Sequence, residues 1–120
     1  MAGARMRRIN EVLREVVGAA ISSDLSDPRI GFVTVTSVET SPDLRTAKVY
    51  VSVLGNDEER EETLSGLRSS HGVLQSRIAA ETRMKRTPTL TFHYDETVAT
   101  GVRISQLLDE RPPSEDSGSA

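Results

Sequence analysis

The residues that could catalyse a reaction are few, and none has the spacing of a known catalytic motif. Asp27, Asp43 and Asp95 lie at predicted element boundaries, where aspartate commonly serves turns and caps. His71 and His93 lack the HxxxH or HExxH spacing of a zinc site. No G-x-S-x-G, Walker or dinucleotide-binding glycine pattern occurs. The sequence therefore predicts no enzyme, no metal and no cofactor, and leaves a small hydrolase built on the three aspartates as an alternative.

Basic residues that could bind phosphate form two groups in the chain. One group leads into the first predicted helix and comprises Arg5, Arg7 and Arg8, with Arg14 on the polar side of that helix. The other group gathers near the end of a later helix and comprises Arg77, Arg83, Lys85 and Arg86. Guanidinium groups match phosphate geometry, although cations also suit a last helical turn for purely electrostatic reasons. We expect the two groups to converge into a positive platform for a sugar-phosphate backbone.

A small-residue segment, Ser70-His71-Gly72, interrupts a helical stripe of apolar residues. Small residues between two helices allow another chain to approach closely, and the N-terminus of the following helix offers N–H groups to an anion. The alternative is a packing kink that binds nothing. His71 lies on the apolar stripe, and we expect it to be a partly buried spacer rather than a ligand.

The net charge of −3 is unfavourable for binding nucleic acid, but its distribution is uneven. Residues 57–62 hold five acidic residues and one basic residue, and residues 109–116 hold four acidic residues and one basic residue. Outside these two stretches the basic residues outnumber the acidic ones, and local patches rather than totals determine electrostatic binding.

The spacing of apolar residues predicts the elements that position these groups. Helices are predicted over 5–23, over 57–78 as one long helix or as two that break near Ser70–Gly72, and over 97–110 with Thr97 as N-cap. Strands are predicted over 30–39, 45–54 and 90–94. The simplest architecture is α+β, a three-stranded sheet with helices packed on one face. The short connection between the first two strands favours an antiparallel hairpin, and the helical crossover is long enough for a parallel third strand.

Length and composition indicate one domain, residues 1–110, followed by an acidic tail at 111–120 that is too polar to pack and should be disordered. The chain of 120 residues has no cysteine and only 3% aromatic residues, so the core should be aliphatic. Neither a signal-peptide pattern nor a stretch of about 20 apolar residues is present. We expect a cytoplasmic protein.

Several stretches, taken in this order and spacing, resemble the ribosome-binding factor A family over residues 5–110. They are Asp27-Pro28-Arg29, residues 31–36, Ser41-Pro42-Asp43-Leu44, residues 47–53, residues 88–95 and residues 103–108. The resemblance implies a type II KH-like fold, in which an interhelical kink of the form Ala-x-Gly replaces the GXXG loop of KH domains. Here the kink reads Ser70-His71-Gly72.

The resemblance also implies binding to the small ribosomal subunit and its 16S RNA during late maturation, support of growth in the cold, and no catalytic activity or required cofactor. The candidate RNA-binding residues are Arg5, Arg7, Arg8, Arg14, Arg29, Arg45, Lys48, Ser70, His71, Gly72, Arg77, Arg83, Lys85 and Arg86. We expect a monomer with no membrane or small-molecule partner. The alternative is a protein-interaction adaptor that uses the acidic residues 57–62 to dock on a basic ribosomal protein.

Overall fold

The computed structural model describes residues 2–84 and 86–97, which form three helices and one three-stranded sheet. The elements are α1 (Ala2–Asp24), β1 (Val33–Thr40), β2 (Thr46–Val53), α2 (Asp57–Ser69), α3 (His71–Glu81) and β3 (Thr89–Tyr94). The start of the helix predicted over 97–110 is described, and the prediction of Thr97 as its N-cap is wrong, because Thr97 is already helical and its N–H donates to Asp95 Oδ1 at 3.0 Å. Residues 98–110, the domain end at 110 and the tail at 111–120 lie outside the described residues.

The sheet has the order β1-β2-β3, with β1 and β2 antiparallel and β3 parallel to β2. A tight turn joins the antiparallel pair, and α2 with α3 makes the long crossover that a parallel connection requires. Ala47, Val49, Val51 and Val53 of β2 are all buried on one face. The alternating residues Lys48, Tyr50 and Ser52 lie on the other face. This arrangement confirms the predicted α+β fold with one covered sheet face.

A β-bulge in β1 keeps its apolar residues on the covered face. The register passes from Val35 opposite Val51 to Ser37 opposite Tyr50, so Thr36 is an extra residue in β1. Without the bulge, Val35 and Val38 would face opposite sides of the sheet, because strand side chains alternate. Both are buried, with exposures of 7% and 4%. The Thr36 hydroxyl lies 2.7 Å from Asp95 Oδ2, immediately after β3.

The core between the sheet and the helices is almost entirely aliphatic, as predicted, with Phe92 as its one large aromatic side chain among the described residues. It includes Leu13, Val17 and Ala20 of α1, Leu64 and Leu67 of α2, Leu74 and Ile78 of α3, and the inward residues of the strands. Burial of this apolar surface is the main force that holds the helices on the sheet.

The loop before β1 packs on α2. Thr63, only 1% exposed, accepts from Gly31 N at 3.2 Å, and its hydroxyl lies 3.4 Å from Arg29 O. Gly66 sits beneath the same loop, where an added Cβ would lie 2.7 Å from Ile30 Cγ1. The first strand therefore begins at Val33 rather than at the predicted Ile30, because residues 27–30 form a turn in which Ile30 N donates to Asp27 O at 3.1 Å.

Helix α2 begins with a capping box, which explains why β2 stops where it does. Asn56 Oδ1 accepts from Glu59 N at 2.8 Å, and Glu59 Oε1 accepts from Asn56 N at 3.0 Å. Gly55 precedes the cap with a φ of 144°, a backbone conformation that side chains disfavour. The helical segment then divides into α2 and α3 at Ser70, as one of the two predicted alternatives required.

Candidate nucleic-acid interface

Arginines from three separate parts of the chain line one groove. They are Arg5 and Arg8 at the start of α1, Arg45 immediately before β2, and Arg83 and Arg86 between α3 and β3. The groove has a volume of about 790 Å³ and is also lined by Asp43, Ile9, Leu44 and Met84. We call this concavity the arginine groove.

Two hydrogen bonds, one to the Asn10 side chain and one between backbone groups, bring the three arginine-bearing segments together. Asn10 Oδ1 accepts from Thr40 N at 2.9 Å and fixes the start of α1 beside the end of β1. Arg45 O accepts from Thr89 N at 2.8 Å, which joins the start of β2 to the segment that follows α3. These contacts bring the start of α1 together with the segments that precede β2 and β3, and these three parts form the groove.

Within the described part of the chain, few carboxylates offset the positive charge of the arginine groove. Arg5, Arg8, Arg83 and Arg86 form no ion pair with any residue in the described ranges. Arg45 Nε is 4.0 Å from Asp43 Oδ2, and both side chains are largely exposed. An exposed contact at this distance is weak. The groove is therefore suited to a polyanion.

The turn that contributes Asp43 and Leu44 to the groove has an unusual backbone. Leu44 has a φ of 62°, in the left-handed region that residues with side chains rarely adopt. Ser41 stabilises the turn, because its carbonyl accepts from Leu44 N at 2.9 Å and its hydroxyl accepts from Thr46 N at 3.1 Å. Hydrogen bonds from the Ser41 hydroxyl and from Arg45 N lower the pKa of Asp43, so this carboxyl is ionised at neutral pH.

Three other candidate arginines are held by carboxylates outside the groove. Arg14 pairs with Glu11 on α1, Arg29 with Asp27 at 2.7 Å, and Arg77 with both Asp24 at 2.7 Å and Glu81 at 2.9 Å. Arg7 is exposed beside Arg14 and near the bulge in β1, and it too lies outside the groove. The two sequence groups thus converge only in part.

The remaining candidates lie on other surfaces. Lys48 is exposed on the uncovered face of the sheet. Ser70 joins α2 to α3, and His71 faces a shallow depression beside β3 that Thr89 to His93 also line. Lys85 lies outside the described residues. Whether any of the 14 candidates contacts RNA remains a prediction.

The expectation that His71 is partly buried is wrong. His71 is exposed, and its Nδ1 lies 2.9 Å from Arg68 O in the preceding turn. His71 is the first residue of α3, directly after the break at Ser70, and the stripe residues on either side of it, Leu67 and Leu74, are buried. Gly72 is also exposed, and a Cβ there would meet nothing within 4 Å. Packing inside the domain therefore does not require glycine at this position.

The three aspartates proposed for a hydrolase do not form one site. Asp27 precedes β1 and Asp43 follows it, so β1 separates them, and Asp95 contacts Thr36 within that strand. Among residues 2–84 and 86–97, no group of three His, Asp or Glu side chains could hold a metal ion. The clustering that the hydrolase alternative requires is therefore missing from this part of the chain.

Sequence analysis missed the apolar residues of the groove. Ile9, Leu44 and Met84 are all partly buried there. Leu44 offered one signal, since it is an apolar residue between Asp43 and Arg45 in a turn. Ile9 and Met84 pack against the core as well as lining the groove.

The cluster of exposed acidic residues at the start of α2 lies at the other end of the sheet. Asp57, Glu58, Glu59, Glu61 and Glu62 belong to the first turns of α2, which follows the end of β2. Arg45 precedes the start of β2. Since β2 has eight residues that rise by about 3.3 Å each, the two charged regions are roughly 25 Å apart.

Comparison with known proteins adds an independent finding. A sequence model described as ribosome-binding factor A matches residues 5–108. The chain belongs to the ribosome-binding factor A family. It is therefore a ribosome-associated factor, and the family is not a known enzyme family.

Solved structures of the ribosome-binding factor A family share the fold. The crystal structure of the factor from Thermus thermophilus is 28% identical, with a TM-score of 0.68 over 74% of this chain and 93% of that one. A solution NMR structure of a Thermotoga maritima protein, provisionally identified as a ribosome binding factor A, is 36% identical, with a TM-score of 0.69 over 74% and 85%. These matches confirm the predicted type II KH-like fold.

A third structure concerns a complex. It is a homology model of the Thermus thermophilus factor fitted into a cryo-electron microscopy map of a 30S complex with that factor. It is 29% identical, with a TM-score of 0.61, and the match covers 72% of this chain and 91% of that one.

Within the described residues of our chain, no helix has the length and apolar character needed to cross a bilayer.

Proposed function

We propose that this chain binds the 16S rRNA of immature small ribosomal subunits through the arginine groove and supports late rRNA processing and growth in the cold. The observation that carries the proposal is the convergence of five arginines from three chain segments, four of them without an ion pair among the described residues. The Thermus relative, which a map shows bound to 30S, supports the choice of particle.

Binding alone is sufficient for this function. A protein that binds the immature arrangement of an RNA more tightly than the mature one shifts the population toward the former until maturation proceeds. No chemical step or cofactor is needed. In this proposal the protein acts in the cytoplasm as a monomer. Sedimentation velocity of the free protein tests its oligomeric state directly.

The decisive experiment is co-sedimentation with purified immature small subunits over a series of salt concentrations. Phosphate contacts release condensed counterions, so affinity should fall steeply as salt rises. Replacement of Arg83 and Arg86 by glutamate should weaken binding while the circular dichroism spectrum and thermal midpoint stay close to those of the original protein. Binding that is independent of salt, or unaffected by this charge reversal, would contradict the proposed surface.

A matched control is available within the chain. The double variant Arg14→Glu/Arg77→Glu makes the same change in net charge at two arginines that are already paired with carboxylates outside the groove. Its affinity should remain close to that of the original protein when it is measured well below the thermal midpoint of the variant, which should fall because a glutamate at position 77 would face Asp24 and Glu81. If both double variants weaken binding equally, total charge rather than the groove determines affinity.

The second candidate is the adaptor that docks on a ribosomal protein. It is favoured by the exposed acidic start of α2, where the Asp57 side chain is 92% exposed. Deproteinised 16S RNA distinguishes the two candidates. Affinity for the naked RNA supports the arginine groove as the docking surface, whereas affinity for assembled particles alone supports the acidic surface.

A further inference from the structure

The arginine groove has two kinds of lining, and only one of them suits phosphate. The five arginines are exposed, whereas Ile9, Leu44 and Met84 are partly buried and apolar. Ile9 and Met84 also pack against the core, and a phosphodiester backbone would leave the remaining exposed part of this apolar surface without a partner. It would also place phosphate near the ionised carboxylate of Asp43. A ligand that matches the whole groove must therefore present an apolar surface between its negative charges.

The backbone of Leu44 adds an independent observation. Its left-handed conformation is unfavourable for a residue with a side chain, yet the hydrogen bonds of Ser41 and Asp43 maintain it. Such conformations persist where the surroundings enforce them, and they are concentrated at binding sites. Here the result is that a leucine contributes to the groove from a surface turn whose neighbours are polar or charged.

We propose that the arginine groove binds a single-stranded RNA segment, with one unpaired base against Ile9, Leu44 and Met84 and the flanking phosphates on the arginines. This inference rests on the proposed function and specifies the form of RNA that the groove accepts. An unstacked base exposes flat apolar faces that pack on side chains and guanidinium planes, whereas a duplex hides its bases and presents mainly backbone.

The size and the remaining polar group of the groove agree with this ligand. About 790 Å³ falls in the range of roughly 300–1,000 Å³ that is typical of pockets for small ligands, so a nucleotide can enter. A carboxylate such as that of Asp43 accepts hydrogen bonds from the amino group of a base. The depression beside Ser70–Gly72 shares no lining residue with the groove, so the proposed base site is separate from the interhelical kink.

The test measures the affinity of the full chain for two RNA probes by fluorescence anisotropy. One probe is an unstructured single strand, and the other is a blunt duplex with the same number of phosphates. The key variant is Leu44→Asn, because asparagine tolerates left-handed backbone and removes the apolar surface. The matched control is Leu54→Asn, at a leucine that is 77% exposed and lies beyond the opposite end of β2.

We expect the single strand to bind more tightly than the duplex. Leu44→Asn should weaken single-strand binding by roughly tenfold, in the lower part of the range for base stacking, and leave duplex binding and the salt dependence unchanged. Leu54→Asn should change neither affinity. Met84→Gln, a replacement of similar length, should reproduce the effect of Leu44→Asn. It replaces Leu44→Asn as the key variant if the turn at Leu44 does not tolerate asparagine.

Two results overturn the base site while the proposed function stands. One is equal affinity for both probes with no effect of either variant. The other is a loss in the variants that is the same for both probes, which would indicate general damage to the groove. Absence of salt-dependent RNA binding by the original protein is a different result, since it overturns the proposed function as well.

Discussion

Arg77 Nη1 lies 2.7 Å from Asp24 Oδ2, so the last residue of α1 is tied to α3. Glu81 contacts the same guanidinium from the next turn of α3 at 2.9 Å. Hydrogen bonds from Arg77 and Ser23 lower the pKa of Asp24, which keeps the ion pair charged at neutral pH. The contact links α1 to α3. It also pairs Arg77, a residue that the sequence analysis predicted to bind RNA, with carboxylates.

Replacement of Arg77 by glutamine should therefore affect the fold more than it affects RNA binding. The variant loses two ion pairs but no groove contact, so we expect a small decrease in thermal midpoint and almost unchanged affinity for small subunits. Thermal melting and co-sedimentation on the same preparation measure both. A strong loss of affinity with an unchanged midpoint would instead place Arg77 at the RNA interface.

Neutralising groove arginines should reduce the salt dependence of binding as well as the affinity. Each phosphate contact to single-stranded RNA contributes about 0.7 to the slope of log K against log salt concentration. Arg83→Gln/Arg86→Gln should reduce that slope by about 1.4, and Arg14→Gln/Arg77→Gln should leave it unchanged. Titrations at four or more salt concentrations give the slopes. A reduced affinity at constant slope would show that these side chains do not contact phosphate.

Two glycines should respond in opposite directions to alanine. In Gly66→Ala the new Cβ would lie 2.7 Å from Ile30 Cγ1, so the loop before β1 must move. We expect a loss of about 1–3 kcal/mol in the free energy of unfolding, as for overpacked cores. In Gly72→Ala the Cβ meets open space, and stability should rise by up to about 1 kcal/mol through helix propensity.

Urea denaturation of both variants tests these signs, and Gly72→Ala serves a second purpose. If RNA approaches α3 closely at Ser70–Gly72, that variant should bind small subunits more weakly although it is more stable. Affinity equal to that of the original protein would mean that the kink has no close contact with RNA.

The capping box of α2 should be worth about 1 kcal/mol. Asn56→Ala removes the side chain that accepts from Glu59 N, and loss of such a cap typically costs about 0.5–2 kcal/mol. Asn56→Asp retains an acceptor and should cost little. The free energy of unfolding in urea distinguishes the two. Equal destabilisation by both changes would point to a role of the amide group other than capping.

Asp27 should make the free energy of unfolding depend on pH in the acidic range. Hydrogen bonds from the Arg29 side chain and backbone lower its pKa from 3.8 to about 2. Its ionised form therefore stabilises the fold fully above about pH 4, and this contribution is lost as the pH falls through about 2. Asp27→Asn should have a lower urea midpoint than the original protein at pH 6, and the gap should narrow below pH 4. A gap that is constant with pH would contradict this assignment.

Much of the fold was predictable because its signals are local. The alternation from Ala47 to Val53 predicts a half-buried strand, and the break near Ser70 follows from small residues within a helical stripe. The bulge at Thr36 was not predicted, since it depends on which residues of β2 lie opposite. The start of β1 was misplaced because Asp27 and Arg29 form a turn whose stability comes from side chains and from α2.

The residue type that lines the arginine groove was predictable, but which arginines line it was not. Sequence proximity grouped Arg77 with Arg83 and Arg86, yet Arg77 faces Asp24, which is distant in the chain. Arg45 joins Arg5 and Arg8 because α1 packs on the sheet and Asn10 hydrogen-bonds to Thr40 at the end of β1. Ion pairs between residues that are distant in the chain decide which charged side chains are left to bind a ligand. A local sequence pattern does not show these ion pairs.

Among the described residues, the arginine groove and the acidic start of α2 lie at opposite ends of β2, and this separation of charge gives that part of the chain an electric dipole. In the field of a polyanion such a dipole experiences a torque. This torque turns the arginine groove toward the polyanion and the start of α2 away from it. Encounters in which the acidic start of α2 faces the polyanion are repelled at long range, so the fraction of productive collisions rises. Added salt should then slow association through loss of orientation as well as loss of attraction.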